Sequence, residues 1–135
     1  MRIADWKSKR RIAECGLRIA DWKSKRRIAD WKKCMTPDEM KRRTRAFALR
    51  VIRLYESLPK TKVAQHIGYQ LLRAGTSVGA NYRASCRAKS KADFVAKMGI
   101  VEEEADECIF WFDMLVDAEI VADKLLASLR EEATE

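Results

Sequence analysis

The sequence predicts an all-α fold: an antiparallel up-and-down four-helix bundle, with an N-terminal repeat extension outside its core. Three observations carry this. Apolar residues from Met40 onward recur at steps of three and four, the spacing of one helix face. Only 5 Gly and 2 Pro occur among 135 residues, too few for a turn-rich all-β domain. Helix start and stop signals divide the periodic stretch into four segments with short connections.

The first helix begins at Thr36-Pro37-Asp38-Glu39. Thr36 caps free N–H groups, Pro37 fits the first helical position, and Glu39 stands where a capping box wants a carboxylate. Met40, Phe47, Val51, Leu54, Tyr55 and Leu58 form its apolar face, and Pro59 stops it. Thr61 or Lys62 restarts the chain. Val63, Ile67, Leu71, Ala74, Val78 and Tyr82 form the second face. Gly75 and Gly79, four apart, read as a close helix–helix contact. The row Ala80, Ala84, Ala88, Ala92, Ala96 also reads as small residues under a neighbouring helix. A break is expected near Lys89-Ser90, with Ser90 and Asp93 capping the next helix. Phe94, Met98, Val101, Ala105, Cys108, Phe112 and Leu115 then alternate steps of four and three, an a/d seam. Asp117-Ala118-Glu119 reads as a turn. Ile120 or Val121 opens a noticeably shorter last segment with Leu125, Leu126 and Leu129.

Residues 1–34 are different. RIADWKSKRRIA occupies 2–13 and again 18–29, and RIADWKK follows from Arg27. The unit is too short and its copies too few for a solenoid. Its Ile3/Trp6, Ile19/Trp22 and Ile28/Trp31 pairs give no sustained stripe. Four readings of the segment stand. It is repeated DNA carried upstream of a start at Met35, an arm whose Trp and Lys/Arg stack on bases and hold phosphates, a membrane-surface arm, or an added helix on the body. The expected organisation is a basic extension over 1–34 and a bundle over 35–135.

The formal net charge of +8 belongs entirely to that extension, because residues 35–135 carry 16 basic and 16 acidic residues. The body is polarised: residues 41–97 carry +12 and residues 102–135 carry −10. Lys41, Arg42, Arg43 and Arg45 open the first helix. Arg73, Arg83, Arg87, Lys89 and Lys91 lie on the second helix and the following turn, and are the candidate nucleic-acid-binding residues, through phosphate contacts that position without reading sequence. The competing role is pairing with the acidic third and fourth helices, within one chain or between chains. Phe110, Trp111 and Phe112 give the third helix more apolar surface than one seam buries, which suits an oligomer interface.

Catalytic and metal chemistry find little support. Gly75-Thr76-Ser77-Val78-Gly79 matches the nucleophile-elbow letters but lies within helical periodicity, and the single histidine, His66, precedes it. Cys15, Cys34, Cys86 and Cys108 are scattered without a C-x-x-C, so no metal site is expected, and the pattern fits a reducing cytoplasm. Glu102, Glu103, Glu104, Asp106 and Glu107 lack the Glu-x-x-His spacing of carboxylate-bridged centres and read as a solvated face. No apolar run approaches membrane-spanning length, and no cofactor or small-molecule substrate is implied.

The run Leu71-Leu72-Arg73-Ala74-Gly75-Thr76-Ser77-Val78-Gly79-Ala80-Asn81-Tyr82-Arg83-Ala84, then Ser90-Lys91-Ala92-Asp93-Phe94, carries a resemblance. Glu103-Glu104-Ala105-Asp106-Glu107 leading into Phe110-Trp111-Phe112 adds to it, as do Leu54-Tyr55 and Leu58-Pro59. Over about residues 40–130 the chain resembles the four-helix-bundle proteins encoded in intervening sequences of bacterial 23S ribosomal RNA genes. The accessory variability determinant proteins of diversity-generating retroelements are relatives of that family. The resemblance implies an antiparallel four-helix bundle, a homopentameric ring or barrel, and no enzyme activity. From the retroelement relatives it implies binding of RNA or DNA, and of a reverse transcriptase, through basic surfaces. Ser77 and Asn81 become structural polar residues, and Arg73, Arg83 and Arg87 candidates for the basic surface. The chain departs from the family at Ala84-Ser85, where many members carry Glu-Gly, and in a last helix that stops a turn or more short.

Overall fold

The computed structural model describes residues 35–135, so the repeat, its Trp/Ile pairs, Cys15 and Cys34 lie outside the described residues. Four helices follow in order: α1 Pro37–Ser57, α2 Lys62–Ser85, α3 Lys91–Asp117 and α4 Asp123–Thr134. Their starts follow the capping signals. The Thr36 N–H donates to Glu39 Oε2 at 2.6 Å, and the Glu39 N–H to Thr36 Oγ1 at 3.2 Å, a reciprocal capping box. Thr61 caps α2 through the Ala64 N–H, and Ser90 caps α3 through the Asp93 N–H.

The helices pack antiparallel in sequence order. On the α1–α2 seam, Thr44 lies beside Gly79 and Val51 beside Gly75, so the two chains run in opposite directions. Arg73 on α2 reaches Glu107 on α3, Arg130 on α4 reaches Asp113 on α3, and Arg43 on α1 reaches Glu132 and Glu135 on α4. Each helix therefore borders two others, and α1 and α3 occupy opposite corners. The core joins Phe47, Val51 and Leu58, Ile67, Leu71 and Val78, Cys108, Phe112 and Leu115, and Leu126 and Leu129.

The glycines are the close-approach device. An added Cβ at Gly75 stands 2.9–3.1 Å from three Val51 side-chain atoms. One at Gly79 meets the Thr44 carbonyl at 3.5 Å. The alanine row expected to do the same does not: Ala80, Ala92 and Ala96 are exposed, and Ala84 and Ala88 half-buried. α2 ends at Ser85 and the chain reverses, which divides the row between two helices. Val63 also leaves the expected face and is exposed, and Ala64 is buried in its place.

The last connection also differs from expectation. α3 ends in a Schellman motif, in which the Ile120 N–H reaches the Leu115 carbonyl at 3.0 Å and the Glu119 N–H reaches Val116 at 2.9 Å. Glu119 takes the left-handed position at φ 55°, normally a glycine's place. Ile120 and Val121 are thereby held in the turn against the core, and α4 starts only at Asp123. At 12 residues α4 is about 18 Å long, against about 40 Å for the 27 residues of α3. It closes the fourth position over the second half of α3 only. The seam shows this: Cys108, Phe112 and Leu115 are fully buried, whereas Met98, Val101 and Ala105 are half-buried and only Phe94 of the first half is buried.

Candidate functional site

The five basic candidates separate into two groups. Arg73 lies in mid-α2 and donates to Glu107 Oε1 at 2.8 Å. The same oxygen accepts from the Trp111 indole N–H at 3.0 Å. Arg73 thus serves an α2–α3 link, worth at most about 1 kcal/mol at this exposure. Arg83 follows ten residues later, about 15 Å further along and about 80° around the helix. It closes α2, Arg87 and Lys89 occupy the turn, and Lys91 opens α3. All four are exposed, and among the described residues none of their side chains enters an ion pair.

The α1–α2 register brings further basic residues to this end. Since Thr44 faces Gly79, Lys41, Arg42 and Arg45 stand near the level of Arg83. Arg43 turns the other way, to Glu132 and Glu135, and hydrogen bonding to Glu132 is the largest cause holding its guanidinium above the ordinary arginine value. Asp93 is the local carboxylate. Its hydrogen bond from Lys97, then that from the Lys89 N–H, keep it below the usual carboxylate range.

The aromatic candidates also divide. Phe110 is 53% exposed and meets Trp111 edge-on, with ring centroids 4.9 Å apart and planes at 73°. Phe112 is fully buried, which corrects its assignment to an oligomer interface. At 100° per residue, position 112 shares the seam with Cys108 and Leu115, whereas 110 points away from it. Its large apolar ring fills the bundle interior and is not available to a partner while the bundle is folded. Exposed apolar residues outside that assignment are Leu49 on α1, Val63 and Tyr69 on α2, Val95 and Ile100 on α3, and Leu125 on α4. Leu49 stands apart from the Phe47–Val51 spacing, which was the available signal.

The remaining motifs resolve into structure. The Gly75–Gly79 run lies inside continuous α2, where the strand-to-helix elbow has no place. Asn81 donates to the Ser77 carbonyl at 3.0 Å, and Ser85 to the Tyr82 carbonyl at 2.7 Å. Glu102, Glu103 and Asp106 are exposed. Cys108 is buried, and burial first, then Glu104 and Glu107, push its thiol up to about 12. No group of three or more His, Cys, Asp or Glu among the described residues is placed to hold a metal ion. No described helix is long and apolar enough to cross a membrane.

Fold and surfaces define a four-helix bundle whose chemistry lies on its outer faces, in one basic end and one acidic, aromatic-bearing helix. The chain belongs to the 23S rRNA-intervening sequence protein family, whose family model matches residues 38–135. It is similar to a solved protein with unknown function from the S23 ribosomal protein family of Bacteroides thetaiotaomicron. The two are 33% identical with a TM-score of 0.69, over 74% of this chain and 89% of that one. No curated protein matches the chain.

Proposed function

We propose that this protein is a non-enzymatic, cytoplasmic, self-assembling four-helix bundle that serves as a scaffold or adaptor, with the pentamer implied by its family resemblance as the assembly. The observation that carries the reading is Phe110, a large aromatic 53% exposed and seated edge-on to Trp111 on the longest helix. Ile100 and Val95 are also exposed on this helix, about 15 and 22 Å from Phe110 along the axis and about 80° and 60° around. Burying such a side chain is worth about 1.5–3 kcal/mol, and an exposed apolar patch rimmed by charge marks an interaction surface. Light scattering on the full chain at micromolar concentration should show a discrete oligomer, and Phe110→Ser should dissociate it. A monodisperse wild-type monomer would overturn the reading.

A second reading has its own observation. Arg83, Arg87, Lys89 and Lys91 gather at one end without ion pairs among the described residues, so their charge is available for the phosphates of RNA or DNA. Arg83→Ala with Arg87→Ala should then weaken binding and flatten its salt dependence, as fewer counterions are released. Unchanged affinity and slope would sink it.

A further inference from the structure

The charge polarity of the body is mostly not consumed within one chain. Arg43 and Arg73 reach carboxylates of α3 or α4, but Arg42, Arg45 and Arg53 enter no ion pair among the described residues. Arg130 takes Asp113 and Asp123, and Glu103, Asp106 and Asp117 likewise enter none. These residues are ordered in stripes. On α1, Arg42, Arg45, Leu49 and Arg53 follow steps of three, four and four, and all four are exposed. On α3, Glu103, Asp106, Phe110, Asp113 and Asp117 follow steps of three, four, three and four, and all five are exposed. Such steps hold side chains on one helix face. Each stripe is one exposed apolar residue between charges of a single sign, and the signs are opposite.

The fold forbids the two stripes from meeting within one chain. α1 and α3 each border α2 and α4, so they stand at opposite corners and their outer faces look apart. Two copies meet that constraint readily, because the acidic face of one can lie on the basic face of the next. α1 and α3 also run in the same direction, so neighbouring copies need no inversion. A polyanion would engage the arginines but leave Leu49 and the whole α3 stripe unused. A second copy uses both.

Resting on the self-assembly reading, we propose that the outer stripe of α3 docks on the outer stripe of α1 of the next copy. Phe110 and Leu49 supply the apolar contact, and Glu103, Asp106 and Asp117 face Arg42, Arg45 and Arg53. The contact is heterologous, with two different faces per copy, so it builds head to tail toward a closed ring. Its charged part weakens as salt screens it.

The test uses the full chain and light scattering, with circular dichroism confirming that each variant is folded. The wild type should assemble, more weakly at high salt. Arg45→Glu with Arg53→Glu should be monomeric, because like charges then face each other. Glu103→Lys with Asp106→Lys should be monomeric for the same reason. All four changes in one chain should restore the wild-type mass. If the wild type assembles and both double variants assemble equally well, the interface lies elsewhere, and self-assembly survives without this inference. If the wild type is monomeric even at low salt, both fall together.

Discussion

Gly75→Ala tests the α1–α2 seam most directly, because two opposed effects have known sizes. Alanine in a helix interior is favoured over glycine by about 1 kcal/mol. Against this, the new methyl stands 2.9 and 3.0 Å from the two γ-carbons of Val51 and 3.1 Å from its β-carbon. Rotating Val51 relocates only the γ-carbons, since the β-carbon is fixed to the backbone. Val51 is also fully buried, so the γ-carbons have nowhere to go. α1 and α2 must therefore separate by a few tenths of an ångström, and overpacking of this kind costs about 1–3 kcal/mol. The net expectation is a loss of roughly 1 kcal/mol. Gly99→Ala provides the contrast, because its added Cβ meets nothing within 4 Å and keeps the helix gain. The two variants should differ by about 2 kcal/mol, or roughly 10 °C in Tm for a domain of this size. Thermal and urea unfolding followed by circular dichroism at one fixed protein concentration reads this, the fixed concentration holding any assembly term constant. If Gly75→Ala is as stable as Gly99→Ala, the seam is not the close contact described, and the reasoning is refuted.

Phe112→Ala should cost about 3–5 kcal/mol, because the ring is fully buried, whereas Phe110→Ala should leave the unfolding free energy of the isolated protomer nearly unchanged. Denaturation at concentrations low enough to separate protomers distinguishes them, and equal losses would mean that 110 is also core. Glu119→Gly should stabilise by about 1 kcal/mol by relieving a left-handed residue at φ 55°; an unchanged Tm contradicts this. Ala122→Ser should add up to about 1 kcal/mol, since α4 begins at an N-cap without a side-chain hydrogen bond; no gain in urea midpoint would count against it. Cys108 gives a pH prediction. Below its ordinary value of 9.0 both states keep the proton, and as pH rises through 9.0 the unfolded chain loses it while the folded thiol holds on to about 12. Stability should therefore fall in that window, by up to about 1.4 kcal/mol per pH unit, and the gap between wild type and Cys108→Ala should narrow there. Parallel pH profiles of the two would refute the shift.

Much of the fold was legible along the chain because its signals are local. Capping at Thr36 and Ser90 depends on residues three apart, and each bond forms as the spacing foretells. The seam of α3 also follows from spacing alone. The start of α4 was misplaced because the Schellman motif recruits Glu119, a residue with no glycine signature, into a left-handed position. The alanine row misled because periodicity does not register that the chain reverses after Ser85. Phe112 carried two readings, seam residue and interface aromatic, which only the rotation about the helix axis separates.

The sequence by itself determined the class of fold, the helix boundaries that caps write, and the division of charge into a basic first half and an acidic second half. It could not say whether those halves neutralise each other, because ion pairing depends on which faces meet across more than thirty residues of chain. Tertiary structure decided that. Arg43 and Arg73 find carboxylates across helix seams, while the outer charges of α1 and α3 are held at opposite corners of the bundle. The physical reason is elementary: spacing along one helix fixes which side chains share a face, but only the packing of four helices fixes where each face looks.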